Sequence, residues 1–399
     1  MKILVICQYY YPEPFRITDI CKSLIDRGHK VTVLTGLPNY PEGKIYGDYR
    51  GHNRRHEMLN GVEVIRTFEI GRRHGALWRF VNYYSFAISS WLKVRQLDND
   101  YDVVFVNQLS PVMMTYAAIK YKKSRSKPLV LYCLDLWPAS LSAAGMSKTS
   151  FMYKLFRKVS ANIYKQADKL LVTSAGFAEY LEDLGVKTAR ITHLPQYAED
   201  VFRPAQRRRD DGKFNLVFAG NIGVLQSVET IVEAAKRLHN AGLPKTPIFH
   251  IVGGGTHLDT CMKAANGLDN IVFYGRRPLE DMPMFYDKAD AFLLTLSDDE
   301  DISRTLPGKA QSYMAAGKPI IGAANGETAG VIDAANCGYC ANAEDAHGLA
   351  ECIVKLIEKG NCDELGNNAL EYYMRNYSKD TFMNKLESCL KYAADRSNK

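Results

Sequence analysis

A lysine at the mouth of a helix is the residue of this chain with the clearest chemistry. In Leu306 to Ile321, LPGKAQSYMAAGKPII, Pro307 and Gly308 open a helix, Lys309 lies in its first turn and Gly317 ends it. Free backbone N–H groups, the positive end of the helix dipole and an ammonium at that point all favour an anion, and a diphosphate could sit there without a metal. Two glycine-rich turns, one containing Gly220, Asn221 and Gly223 with Gln226 close behind, the other Gly253, Gly254 and Gly255, would let backbone amides approach the same ligand. Gly275 and Arg276 end a further strand. Each feature also serves as an ordinary turn or cap, so the set counts for more than any member.

A second group of side chains carries acid–base chemistry. Asp135 follows the apolar run Leu129 to Leu134 and precedes Leu136-Trp137-Pro138. At the carboxyl end of a parallel strand it could orient an acceptor hydroxyl or take its proton; a loop cap is the competing role. Glu13 and Arg16 in the first βα loop, and Asn107 and Ser110 after the strand Val103 to Val106, belong to the same edge and are candidate acceptor contacts. Arg304 is a second candidate cation, and Glu327 could recognise hydroxyls or stand exposed in its turn. The consecutive carboxylates Asp298 to Asp301 read as a solvated loop, not a metal site. No His-Glu-x-x-His and no nucleophile elbow accompany them.

These residues need a scaffold, and 399 residues suffice for two domains. Strands at Lys2 to Cys7, Lys30 to Thr35, Val62 to Thr67, Val103 to Val106, Leu129 to Cys133, Lys169 to Thr173 and Arg190 to Leu194 alternate with helices, predicting a parallel doubly wound sheet. After Pro195 and the polar run Arg207 to Gly212 the pattern restarts at Asn215 to Ala219 and continues through Ile248 to Val252, Ile271 to Phe273, Ala291 to Thr295 and Pro319 to Gly322. The predicted division is 1–200, 201–378 and a terminal helix, 379–399, packing back on the first domain.

Charge is uneven. Residues 1 to 205 hold 29 Lys and Arg against 18 Asp and Glu, and the remainder 22 against 26. A basic first half suits an anionic surface. Aromatic residues Phe151, Tyr153, Phe156 and Tyr164 interleave with Lys154, Arg157 and Lys158, and Lys120 to Lys127 is basic, so either segment could lie on an anionic membrane. No nucleic-acid recognition signature is present. The nine cysteines form no framework and read as thiols of a reducing compartment. With no signal-peptide pattern, the expected location is cytoplasmic, peripheral on the membrane's inner face.

Tyr10-Tyr11-Pro12-Glu13-Pro14, Arg27-Gly28-His29-Lys30, Phe218-Ala219-Gly220-Asn221-Ile222-Gly223, Ile251 to Gly255, Val272 to Arg276, Ala289-Asp290-Ala291 and the Pro307 to Pro319 corner occur in the order found in glycosyltransferase family 4, which the chain resembles over nearly its whole length. The Pro-x-Lys start, Gly-Asn-Ile-Gly and Asp135-Leu136-Trp137-Pro138 resemble its L-fucosamine transferase-like branch, of surface-polysaccharide (O-antigen or capsule) assembly. The resemblance implies an α/β GT-B fold, two Rossmann-like domains facing a cleft, an acceptor in the first domain and a UDP-type sugar in the second. It implies metal-independent, retaining transfer to a lipid-linked or oligosaccharide acceptor, with the nucleotide sugar as co-substrate and no resident cofactor. The family's Glu-x7-Glu pair falls here on Arg304 and Ser312, and its turn Arg and Lys on Asn221 and Gln226. A non-catalytic partner subunit or a GT-B sugar-nucleotide epimerase are the alternatives.

Overall fold

Uninterrupted apolar runs such as Ile3-Leu4-Val5-Ile6 and Phe292-Leu293-Leu294 are the mark of strands covered on both faces, and these six side chains at positions 3–6, 292 and 293 are fully buried along with Leu294. The computed structural model describes residues 1–51, 53–73, 75–98, 100–143, 145–204 and 212–397; the arginine run 207–209 lies outside them. The chain divides into two units. The first is Met1–Thr173 with Phe177–Leu194 and Met383–Lys399, the second Ser174–Gly176 with Pro195–Phe382.

The first unit is built on an eight-stranded sheet of β1 (Lys2–Ile6), β2 (Lys30–Thr35), β3 (His56–Leu59), β4 (Val62–Arg66), β5 (Val103–Gln108), β6 (Leu129–Cys133), β7 (Lys169–Val172) and β8 (Ile191–His193), in the order β3-β4-β2-β1-β5-β6-β7-β8. All neighbours are parallel except β3 and β4, which pair antiparallel. That hairpin edge was not foreseen: His56-Glu57-Met58-Leu59 is too polar to read as a buried strand, and its alternating half-exposure is what an edge strand allows. The chain builds outward from β1 on one side, then returns to add β5 on the other. This reversal lies between β1 and β5, where doubly wound folds bind ligands. The last helix, Lys379–Ser397, returns to this unit: Glu387 accepts from Arg27 Nη1 and pairs with His29 Nε2, each at 3.1 Å.

The second unit holds β9 (Lys213–Ala219), β10 (Thr246–Val252), β11 (Ile271–Gly275), β12 (Ala291–Thr295), β13 (Ile320–Ala323) and β14 (Gly338–Ala341), all parallel, in the order β11-β10-β9-β12-β13-β14. Its reversal lies between β9 and β12. Strand β14 escaped the sequence reading because four residues with a glycine and a cysteine carry no strand signature. All nine cysteines are free.

Candidate functional site

In the second unit, backbone hydrogen bonds lace the ends of β9, β10 and β11 through their glycine turns. Gly220 N–H donates to Val252 O, Ile222 N–H to Gly254 O and Gly253 N–H to Gly275 O, each at 2.9 Å. A Cβ on Gly253 would stand 1.8 Å from Gly220 O, and one on Gly255 2.2 Å from Ile222 O, so glycine is a steric requirement at both. Asn221 Nδ2 (2.8 Å) and Gly223 N–H (3.2 Å) donate to Gln226 Oε1, which closes the first turn. Arg276, at the end of β11, is exposed and lies beside Gly254.

Helix Gly308–Ala315 meets these turns. No side chain caps its amino end, where Pro307 is the N-cap. Tyr313 fastens the helix to β9: its hydroxyl accepts from Ala219 N–H (2.9 Å) and donates to Ala219 O (3.2 Å), while its ring stacks on Phe292 at 4.1 Å. One turn earlier on the same face is Lys309. The sequence suggested an ammonium projecting at the helix mouth, but in the half-buried Lys309 the Nζ atom itself is buried, 3.9 Å from the centre of the Phe218 ring. Gly220 faces it, and a Cβ there would come within 3.3 Å of Nζ. Among the described residues Nζ has no hydrogen-bond partner, and burial pulls its pKa down to about 7. A desolvated ammonium is held there by little more than the ring face. An anion at the Gly220 turn would supply the missing counter-charge.

Arg304 and Glu327 lie apart from that lysine in their contacts. The Arg304 guanidinium donates to Glu300 Oε1 (2.7 Å) and Asp301 Oδ1 (3.5 Å), and Glu327 Oε1 accepts from Ala175 N–H (3.2 Å). The acidic loop is occupied by the protein itself. Asp299 caps the turn Glu300–Ser303 through the N–H groups of Asp301 and Ile302, and Asp298 accepts from Asn325 Nδ2. No group of three metal-ligating side chains occurs among the described residues.

In the first unit Asp135 is half-buried just beyond β6. Ser110 Oγ donates to its carboxylate, Gln108 Nε2 donates to its backbone O (3.0 Å), and burial raises its pKa despite the Ser110 hydrogen bond. The Arg72 guanidinium lies over the ring of Tyr83, on helix Ala76–Lys93, 5.6 Å from its centre. Asn107 lies within β5, not after it, and is buried beside Tyr132. Glu13 is buried too: its carboxylate takes the N–H groups of Asn39 (2.8 Å), Tyr40 (2.7 Å) and Tyr10 (3.3 Å), so it organises the loops over β1 and β2. Arg16 is the N-cap residue of helix Ile17–Asp26 and is half-buried. Sequence reasoning missed Glu69, whose Oε1 accepts from Gln8 Nε2 (2.8 Å) and Asn82 Nδ2 (2.6 Å) at the same strand edge. Nothing in its local sequence distinguishes it from a surface glutamate.

Residues 15–196 match the glycosyl transferase 4-like domain, and residues 213–359 match glycosyl transferases group 1. The chain carries two glycosyltransferase domains. WbjE of Pseudomonas aeruginosa, named a probable glycosyltransferase, is 26% identical over 295 residues, covering 70% of this chain and 72% of its own. WcaI of Escherichia coli strain K12, named as a colanic acid biosynthesis glycosyl transferase, is 25% identical over 342 residues, 79% and 82% of the two chains. Among solved structures, Anabaena HepE in complex with UDP superposes with a TM-score of 0.71 at 15% identity, covering 98% of this chain and all of that one. Sucrose-phosphate synthase of Thermosynechococcus elongatus gives 0.75, also at 15%, with 98% of each covered. The fold is GT-B, two parallel-sheet α/β domains.

At the two positions where the resemblance implies glutamates, the group 1 domain of this chain has put its side chains to other uses. Ser312 is buried; its hydroxyl donates to Lys309 O (3.0 Å) and shares a hydrogen bond with Tyr286 OH (2.9 Å). Arg304 is paired as above. Asn221 and Gln226, at the positions of the turn cations, bond to one another. Lys309 therefore faces the Gly220 turn, and Arg276 lies beside the Gly254 turn.

Proposed function

We propose that this protein transfers a sugar from a UDP-sugar, held in the second unit, to a lipid-linked or oligosaccharide acceptor held in the first, in surface-polysaccharide assembly. The observation that carries the reading is Lys309: a buried amine with no hydrogen-bond partner among the described residues, set against Gly220 at the reversal point of a parallel sheet, beside an uncapped helix start. HepE is described with UDP and with UDP-glucose, which favours a uridine donor. As the bond from anomeric carbon to diphosphate breaks, negative charge grows on the departing oxygen. Lys309 and the helix amides would stabilise that charge more than the ground state, which is the condition for catalysis. This reading assigns the diphosphate's charge to protein groups, with no metal and no resident cofactor. Asp135, with its raised pKa, is assigned to orient the acceptor hydroxyl or take its proton, with Arg16 and Asn107 as further candidate contacts and Glu13 acting through the loops it holds. Retention of configuration and an N-acetylated deoxyhexosamine such as N-acetyl-L-fucosamine follow from the resemblance alone.

Attachment to an anionic membrane is part of this reading. Helix Phe151–Tyr164 supplies less than its sequence promised, because Tyr153, Phe156 and Tyr164 are core residues and Phe151, Met152 and Leu155 are the exposed apolar ones. Helix Ala76–Lys93 adds Leu77, Tyr84, Ile88 and Leu92 on one exposed face, and Arg95 and Lys120 flank Trp91. No described helix is long and apolar enough to cross a membrane.

The test is to incubate the purified chain, with and without EDTA, with a panel of UDP-sugars and a lipid-diphosphate sugar acceptor, reading products by mass. Sugar added to the acceptor in both conditions is expected. An epimerised donor, or no product despite nucleotide binding, would replace this reading with an epimerase or a non-catalytic subunit.

A further inference from the structure

The first unit has a second concave site at the opposite edge of its sheet from Asp135. A cavity of about 580 Å³ opens at the amino ends of β6, β7 and β8 against the terminal helix, within the size range of small-molecule sites. Lys122, Lys127, Lys169, Lys187, Arg190 and Arg396 line it. Asp168 is the one carboxylate among the described lining residues, and it is already committed to Lys122 Nζ (2.6 Å) and to the N–H of Leu129 (2.8 Å). Five cations thus share one concavity with no carboxylate of the described residues in ion-pair contact.

The cluster is also held in shape. Arg190 Nη1 donates to the carbonyls of Lys165 (3.1 Å) and Ala167 (3.3 Å), which fixes the guanidinium while leaving its other N–H groups for a ligand. Lys169 Nζ reaches Ala189 O at 3.4 Å. Arg396 donates to Tyr392 OH at 2.9 Å, and the half-exposed Tyr392 ring stands between Arg396 and Lys169. Like charges gathered around a cavity repel one another unless an anion fills it, and a polyanion fills it best. We propose that this cavity binds a diphosphate-bearing anion, at a site separate from the Lys309 corner. The chemistry is shared by a free diphosphate or nucleotide and by a lipid phosphate headgroup.

Inorganic diphosphate titrated calorimetrically into the full chain at low salt, with saturating UDP present, tests the site against Lys127→Gln/Lys187→Gln. Both lysines are clear of the sheet core, so circular dichroism should be unchanged. The expected result is binding that persists under UDP, weakens tenfold or more in the double variant and falls with added NaCl. The comparison between wild type and variant holds whether or not UDP itself binds, which separates this site from the donor reading. A parallel arm uses phosphatidylcholine vesicles with and without phosphatidic acid. Loss of phosphatidic acid-dependent sedimentation in the variant, without diphosphate binding, assigns the cavity to a lipid phosphate. Equal behaviour of wild type and variant in both arms overturns the proposal.

Discussion

Lys309 is costly where it stands. In the folded chain its pKa is lowered to about 7 from 10.5, so between those values the unfolded state binds more protons and stability rises with pH. Replacing the amine with an isosteric apolar group removes this cost: Lys309→Met should be more stable than the parent at pH 7 by about 1–4 kcal/mol, the advantage vanishing above pH 10.5. Urea unfolding at several pH values reads this directly. The same variant, like Lys309→Ala, should bind UDP at least tenfold more weakly, because a charge-assisted hydrogen bond contributes about 1.5–3 kcal/mol. A Lys309 variant that binds UDP and turns over as the parent does would remove the phosphate role from this corner. Asp135→Asn keeps the shape and the Ser110 contact while removing the acidity. Transfer should fall by roughly 10²–10⁴ if the carboxylate takes the acceptor proton, with UDP affinity unchanged. Undiminished transfer would leave Asp135 as a loop cap.

Among the elements, the corner depends on how closely the β9 and β10 turns approach. Gly253→Ala would drive a methyl into the carbonyl of Gly220, which must then shift away from Val252 and from the lysine beneath it. The expected cost is about 1–3 kcal/mol of stability, measured by chemical denaturation, with a larger proportional loss of nucleotide affinity. Affinity unchanged in a destabilised Gly253→Ala protein would show that the turn supports the sheet and not the ligand. Helix Gly308–Ala315 contributes by its fixed direction: Tyr313 ties it to Ala219 at one end of the same face that carries Lys309. The Pro-Gly start and Gly317 end were legible because they are backbone signals, local to a few residues.

For the molecule as a whole, the basic first half and the exposed apolar face of helix Ala76–Lys93 predict binding to anionic vesicles. Lys154→Glu/Arg157→Glu/Lys158→Glu should weaken it by tenfold or more, since each basic residue near such a surface contributes about 1 kcal/mol. Leu77→Asp/Ile88→Asp should weaken it at high salt as well, where the electrostatic part is already screened. Sedimentation of either variant with the vesicles at the parent's level would dismiss that helix as a contact.

The alternation of apolar strand runs with amphipathic helices determined two parallel sheets, because burying a strand on both faces leaves an unbroken apolar run in the chain. It likewise determined the glycine turns and the lysine-bearing helix start, since positive φ, close backbone approach and helix capping are each settled within a few residues. What local pattern could not contain was which way a side chain turns. Tyr153, Phe156 and Tyr164 read as a membrane stripe and are core; Glu13 read as a ligand contact, and its carboxylate holds adjacent N–H groups of one loop 26 and 27 positions away. The edge strand His56–Leu59 exists through its partner β4, and the unpartnered amine of Lys309 exists through Phe218 and Gly220, some ninety positions earlier in the chain. Burial of a charge is a property of the surroundings that tertiary packing assembles, so only the folded structure decided where the electrostatic strain of this protein is kept.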